Sequence, residues 1–177
     1  MSNCVPLNPS AVDLFTSAIG EGSKILVLGG TGWFGRTALA MLAHINVRTH
    51  IVASTPREFS VDGRKLVAVR WDPAEVARFD PEIVLDFAYL TVNKSASLGV
   101  ETYKRVNRGL ANQLFFAANL ASTRRVLTIS SGASVRLPLA MKGQPGAEAY
   151  AEGKRAIELA LERIASSGET SVSVARA

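Results

Sequence analysis

Strand-like runs that recur along the chain, each separated from the next by enough residues for a crossover, limit its fold more than any other feature. Lys24–Leu28 (KILVL) is a continuous apolar run ending in Gly29-Gly30, the pattern of a strand buried on both faces. Residues 46–53, 65–71, 83–87, 126–130 and 171–175 are further β-rich runs. Residues 31–43, 98–120 and 147–165 read as helices, and in the second of these Val106, Leu110, Leu114 and Ala117 recur at helical spacing. Two parallel strands can be joined only by a crossover that covers the sheet. The alternation therefore predicts an α/β fold with a doubly wound parallel sheet.

Composition supports a folded core. Of 177 residues, 47% are hydrophobic and 20% charged, which is outside the range that keeps a chain disordered. Apolar runs such as residues 25–28 or 114–118 fall far short of the ~20 residues of a membrane-spanning helix. No basic residue precedes Lys24, so no secretory signal is expected and the chain reads as cytoplasmic. The lone Cys4 cannot form an internal disulfide, and His44 and His50 are too few to build a zinc site, so no metal is expected. The net charge of +5 is spread over single residues and pairs such as Lys104-Arg105, Arg124-Arg125 and Lys154-Arg155, without interleaved aromatics. That pattern suits a solvated surface better than a nucleic-acid partner.

Two segments fall outside the alternation. Residues 1–22 form an N-terminal extension in which Pro9-Ser10 looks like the cap of a short helix over residues 11–19, leaving residues 23–177 as the main domain. Residues 132–146 carry Gly132, Pro138, Gly143, Pro145 and Gly146 and read as a long irregular loop. It follows the carboxyl end of a strand, where ligands bind in open α/β sheets.

Chemistry concentrates in two places. Gly29, Gly32 and Gly35, within Gly29-Gly30-Thr31-Gly32-Trp33-Phe34-Gly35, lie at the junction of the first strand and first helix. There the first glycine permits a tight turn, the second lets backbone N–H groups approach a diphosphate, and the third lets the helix pack closely on the sheet. The alternative is a glycine turn that serves packing alone. Tyr150 and Lys154 sit one turn apart on the last helix, on a stripe continued by Ile157, Leu161 and Ile164. An ammonium near a phenol favours the phenolate and makes the tyrosine an acid/base for a hydroxyl proton. The alternative is a lysine stem running past an anchoring tyrosine.

The order of glycine turn, Ser130-Ser131-Gly132 at a strand end, and Tyr-x-x-x-Lys on a helix resembles the short-chain dehydrogenase/reductase superfamily. The likeness is closest to its extended branch of NAD(P)-dependent nucleotide-sugar epimerases and dehydratases, and it runs from about Ser23 to the last residue. It includes Asp72, Leu85-Asp86-Phe87-Ala88, Asn107, residues 130–133 and residues 149–155. The resemblance implies a Rossmann fold of strand order 3-2-1-4-5-6. It makes Tyr150 the acid/base, has Lys154 bind the nicotinamide ribose and tune the tyrosine, and calls for a strand-end hydroxyl to orient the substrate. Ser131 is the candidate for that hydroxyl. Aligned without a gap from Val135 backwards, however, Gly132 takes the catalytic position and the hydroxyl is missing. The turn residues Gly29, Thr31, Gly32, Trp33, Phe34 and Gly35 would hold the cofactor, with Asp72 approaching the adenine and Ala88 under the nicotinamide. Asn107 would be structural or relay protons, unless it is a plain helix-surface amide.

No acid lies between Thr31 and Arg57 to bind a ribose diol, whereas Ser54, Arg57 and Arg36 suit a 2′-phosphate, so NADP is favoured over NAD. The resemblance also implies a homodimer, formed by the helices at 98–120 and 147–165, and a C-terminal substrate domain that this chain lacks. Loop 132–146 is free of acids, whereas many dehydratases of the family the chain resembles use a carboxylate there for elimination, which favours epimerase or reductase chemistry. Two functions remain open: hydride transfer on a nucleotide-sugar hydroxyl or keto group, or an idle NAD(P)-binding module acting as sensor or partner.

Overall fold

The computed structural model describes residues 9–176, apart from the side chains of Ala11 and Val12; Cys4 and the rest of residues 1–8 lie outside it. α1 (Pro9–Ile19), β1 (Lys24–Leu28) and α2 (Trp33–Leu42) come first. They are followed by β2 (Arg48–Val52), β3 (Arg57–Val61), β4 (Arg64–Ala68), α3 (Pro73–Phe79) and β5 (Ile83–Asp86). α4 (Asn93–Leu98), α5 (Val100–Ala118), β6 (Arg125–Ser130), α6 (Pro145–Ser166) and β7 (Ser171–Arg176) complete the order.

Five strands form one parallel sheet in the order β2-β1-β5-β6-β7. β1 lies between β2 and β5, and its Ile25, Leu26, Val27 and Leu28 are all fully buried. Because side chains alternate along a strand, Ile25 and Val27 pack with Leu39 and Leu42 of α2 on one face. Leu26 and Leu28 pack with Leu114 of α5 and Leu161 of α6 on the other. This two-sided burial explains why the run is apolar without a break. α1 packs on α2 and adds Phe15 and Ile19 to the first of these clusters.

The third expected strand differs. Residues 64–68 turn back on β3 as an antiparallel hairpin, and only Val69 reaches the main sheet, bridging Val52. Two bonds of 2.9 Å, from Ala53 N to Val69 O and from Val69 N to Ile51 O, make that bridge. The outermost place in the expected 3-2-1-4-5-6 order is thus a single bridge, while the other five places hold. Asp62 and Gly63, with φ of 47° and 76°, form the tight turn that directs the chain into a hairpin. The helix expected over 98–120 is α5, preceded by the separate short helix α4, which ends at Gly99 with φ 75°. Loop 132–146 holds two short 3-10 turns, Gly132–Ser134 and Leu139–Met141, and α6 begins inside it at Pro145.

Candidate functional site

The chain leaves β1 for β2 on one side of the sheet and later returns to β5 on the other, so the crevice above the β1/β5 pair is its topological switch point. Gly29 forms one lip of it at φ 75°. A Cβ there would stand 2.8 Å from the Phe87 carbonyl carbon and 2.9 Å from Ala88 N, so the turn lies directly on the segment leaving β5. At Gly35 a Cβ would come within 2.4 Å of Gly29 O and 2.6 Å of Gly30 Cα, so the first turn of α2 rests on the glycine loop. Gly32 is more open, its nearest neighbour being Gly29 O at 3.3 Å. It is also the N-cap of α2 and offers no side-chain oxygen to the helix's first N–H groups. These donors and the positive end of the helix dipole suit an anion of the size of a diphosphate.

Around this turn the sequence candidates occupy distinct places. Trp33 and Phe34 are exposed and meet edge to face with centroids 4.8 Å apart. Ser54 is exposed just past β2. Arg57, which is on β3 and not in a loop, reaches Thr31 O at 3.4 Å. Arg36 donates to Ser60 O at 2.9 Å and lies 5.8 Å from the centre of the Phe59 ring. The hairpin therefore brings both guanidiniums to the β2 side of the turn. Asp72 caps α3, its Oδ1 accepting from Ala74 N at 2.8 Å and Glu75 N at 3.3 Å.

Across the crevice, the segment after β5 is pinned from α5. Asn107 is buried; its Oδ1 accepts from Leu90 N at 2.8 Å, and the Tyr103 hydroxyl donates to Leu90 O at 2.9 Å. Asn107 is thus no helix-surface amide, and its Nδ2 is buried without a partner. Burial pushes the Tyr103 phenol up to about 12. Ala88 N donates to Asp86 Oδ1 at 3.1 Å, and Thr128 donates to Asp86 Oδ2 at 2.8 Å. Burial raises the Asp86 carboxyl, opposed by the Thr128 bond, the Lys154 charge and the Ala88 bond.

Tyr150 is half-buried on α6, and its ring meets that of Tyr89 edge to face with centroids 5.6 Å apart. Lys154 is buried, donates from Nζ to Ile129 O at 2.6 Å, and lies 4.1 Å from the centre of the Tyr89 ring. Burial lowers its ammonium pKa against the opposing charges of Asp86 and Glu158. Tyr89 and Glu158 were not singled out from sequence, and Asp86 only as part of the Leu85-Asp86-Phe87-Ala88 strand end. For Tyr89 a signal existed: an aromatic three residues past a buried strand, at the end of the sheet where the glycine turn also lies.

The strand-end hydroxyls are taken up by local structure. Ser131 Oγ accepts from Ala133 N at 3.3 Å and caps the 3-10 turn. Ser130 and Ser134 both donate to Glu158 Oε1, the latter at 2.7 Å. Gly132 is exposed, and nothing lies within 4 Å of where its Cβ would be. Among the described residues, no cluster of three His, Cys, Asp or Glu side chains could hold a metal ion, and no helix is long and apolar enough to cross a membrane.

Comparison with known proteins places this architecture. The family model described as NAD dependent epimerase/dehydratase family matches residues 25–177. Among solved structures, an epimerase from Methanothermobacter thermautotrophicus superposes with a TM-score of 0.70 at 22% identity, over 95% of this chain and 54% of that one. A UDP-N-acetylglucosamine 4-epimerase from Methanobrevibacter ruminantium, in complex with UDP-N-acetylmuramic acid, has a TM-score of 0.66 at 21% identity, over 89% of this chain and 55% of that one. A UDP-glucose 4-epimerase from Stenotrophomonas maltophila with bound NAD has a TM-score of 0.67 at 21% identity, over 87% of this chain and 52% of that one. The chain spans about half the length of these relatives. No curated protein matches. With its fold, its glycine turn and the matched span in agreement, the chain belongs to the NAD-dependent epimerase/dehydratase family, the extended branch of the short-chain dehydrogenases/reductases.

Proposed function

We propose that the chain binds a pyridine dinucleotide across the β1/β5 crevice and supplies the acid/base group for hydride transfer at a nucleotide-sugar hydroxyl or keto carbon. One observation carries this reading: Tyr150 meets Tyr89 edge to face, and the segment holding Tyr89 lies directly on Gly29, so the phenol and the diphosphate cradle border one cleft. The residues present fit the cofactor. An uncapped helix start and a glycine loop with no room for side chains at Gly29 and Gly35 match a diphosphate. Bound there, the dinucleotide supplies the hydride acceptor. Tyr150 is the acid/base that takes the proton from the substrate alcohol and returns it when the keto group is reduced. Trp33, Phe34 and Thr31 would hold the diphosphate, Ala88 would flank the nicotinamide, Asp72 would lie toward the adenine, and Lys154 would be the cation for the second ribose.

Arg36 and Arg57 beside Ser54, with no carboxylate at the end of β2, support NADP over NAD. Titration of NADPH against NADH tests this, and NADH binding about tenfold tighter than NADPH would overturn it. Tyr150→Phe is expected to abolish alcohol-dependent cofactor reduction and to leave dinucleotide affinity within about twofold. Equal activity in the variant would sink the catalytic role.

A second reading is an idle dinucleotide-binding module that acts as a sensor or binds a partner. It is favoured by Gly132, which puts no hydroxyl at the strand end, while Ser131 is occupied as a cap. Dinucleotide binding with no turnover of any nucleotide sugar would select it.

A further inference from the structure

Tyr89 packs over the ammonium of Lys154 and, with Gly153, lines the groove between α5 and α6. On one side Nζ donates to Ile129 O at 2.6 Å, and on the other the Tyr89 ring centre lies 4.1 Å away. The ammonium is enclosed between these two, and Lys154 is only 6% exposed. A desolvated ammonium is stable only where acceptors replace water, and the face of an aromatic ring is one such partner.

The ring has its place because residue 153 has no side chain. A Cβ on Gly153 would stand 2.0 Å from Tyr89 Oη and 3.3 Å from Cζ. Glycine is a poor residue for the interior of a 22-residue helix, so its presence here follows from the ring and not from the helix. Tyr89 is held from the other side by Tyr150, whose ring meets it at 78°. Its backbone is fixed next door, where Asn107 and Tyr103 grip Leu90.

We propose that Tyr89 is a cover over Lys154, keeping its ammonium out of the cleft, and that the second ribose of a dinucleotide reaches Nζ only when the ring is displaced. The second half rests on the dinucleotide reading above. The cover itself rests on geometry alone.

Two readouts test the proposal on the full chain. The first is acetylation of Lys154 by an activated acetyl ester, followed by mass spectrometry with exposed Lys142 as internal reference. Tyr89→Ala and Gly153→Ala should each raise Lys154 labelling roughly tenfold, about the effect of losing one buried cation–π contact. Tyr89→Phe keeps the ring and should stay within about twofold of the parent. In the double variant Tyr89→Phe/Gly153→Ala, the hydroxyl that meets the new methyl is gone, so labelling should fall back toward the parent. The second readout is affinity for NADH against ADP, which ends before the second ribose. Tyr89→Ala should tighten NADH about fivefold or more relative to ADP.

Unchanged labelling in both alanine variants overturns the cover. Raised labelling with an unchanged NADH-to-ADP ratio overturns the link to the cofactor. If neither parent nor Tyr89→Ala binds NADPH, NADH or ADP, the dinucleotide reading fails, and labelling still decides whether Tyr89 covers Lys154.

Discussion

Gly35 and Gly132 are the same residue type under opposite constraints. A methyl on Gly35 would meet backbone atoms at 2.4 and 2.6 Å, and backbone cannot swing aside as a side chain can. Gly35→Ala should therefore cost about 3 kcal/mol or more, at the upper end of overpacking, and lower Tm by roughly 6–12 °C in a chain of this size. Gly132 has no neighbour within 4 Å of a Cβ, so Gly132→Ser should change stability by less than about 0.5 kcal/mol. Calorimetry on the two variants checks both, and similar losses in the pair would contradict the close approach at Gly35. The placement of Gly35 was legible in the sequence, because a strand end, a turn and a helix start imply it. The roles of Ser131 and Gly132 were not, since spacing alone leaves open which strand-end oxygen is spent on a cap. Nor was Tyr89 legible as a partner of Lys154: they are far apart in sequence and meet only because β5 ends and α6 begins on the same side of the sheet.

At the level of elements, Glu158 joins three of them. From α6 it accepts from Ser130 at the end of β6, from Ser134 in the following turn, and from Arg176 on β7 at 2.7 Å. Burial pushes its carboxyl upward, but the bonds from Arg176, Ser130 and Ser134, with the Arg176 charge, outweigh this and hold it at about 2. The unfolded chain's carboxyl titrates near the ordinary value of 4.5. The folded state therefore binds fewer protons here, and the stabilisation is complete above about pH 4.5 and is lost as pH falls toward 2. Because the Arg176 end of the pair is 47% exposed, screening brings the contribution to about 1–2 kcal/mol. Glu158→Gln should lose that amount at pH 7, and the difference from the parent should shrink as pH falls below about 4.5 and close near pH 2. Denaturant midpoints across pH measure this, and a gap as large at pH 2.5 as at pH 7 would count against it. The elements themselves were mostly readable, since continuous apolar runs mark strands buried on both faces. The hairpin β3–β4 was not read. Its strands carry Arg57, Glu58, Ser60, Arg64 and Lys65 and bury little, so they lack a strong period, and the Asp62-Gly63 turn was the only local sign.

For the whole molecule, the groove where α5 and α6 lie side by side is the surface to test. It encloses about 340 Å³, with Ala111 and Phe115 of α5 facing Ala149 and Ala156 of α6. Lys104 and Arg108 border it on α5, and Glu152 borders it on α6. A two-fold axis along such a groove sets α5 of one copy against α6 of the other, so each contact occurs twice. In that arrangement the α5 cations meet Glu152 of the second copy at both ends, and small residues let the helices approach closely. The exposed Leu159, one turn beyond Ala156, extends the apolar stripe. We expect the 18.8 kDa chain to sediment at twice that mass at about 10 μM, in the range of a standard interface. Ala156 is exposed in the single copy, so Ala156→Arg leaves the fold intact and places a third cation where Lys104 and Arg108 of the second copy would approach. That variant should sediment at the single mass with an unchanged Tm at low concentration. A parent that remains at the single mass up to about 100 μM, or an arginine variant that still doubles, would show that this groove is not where two copies meet.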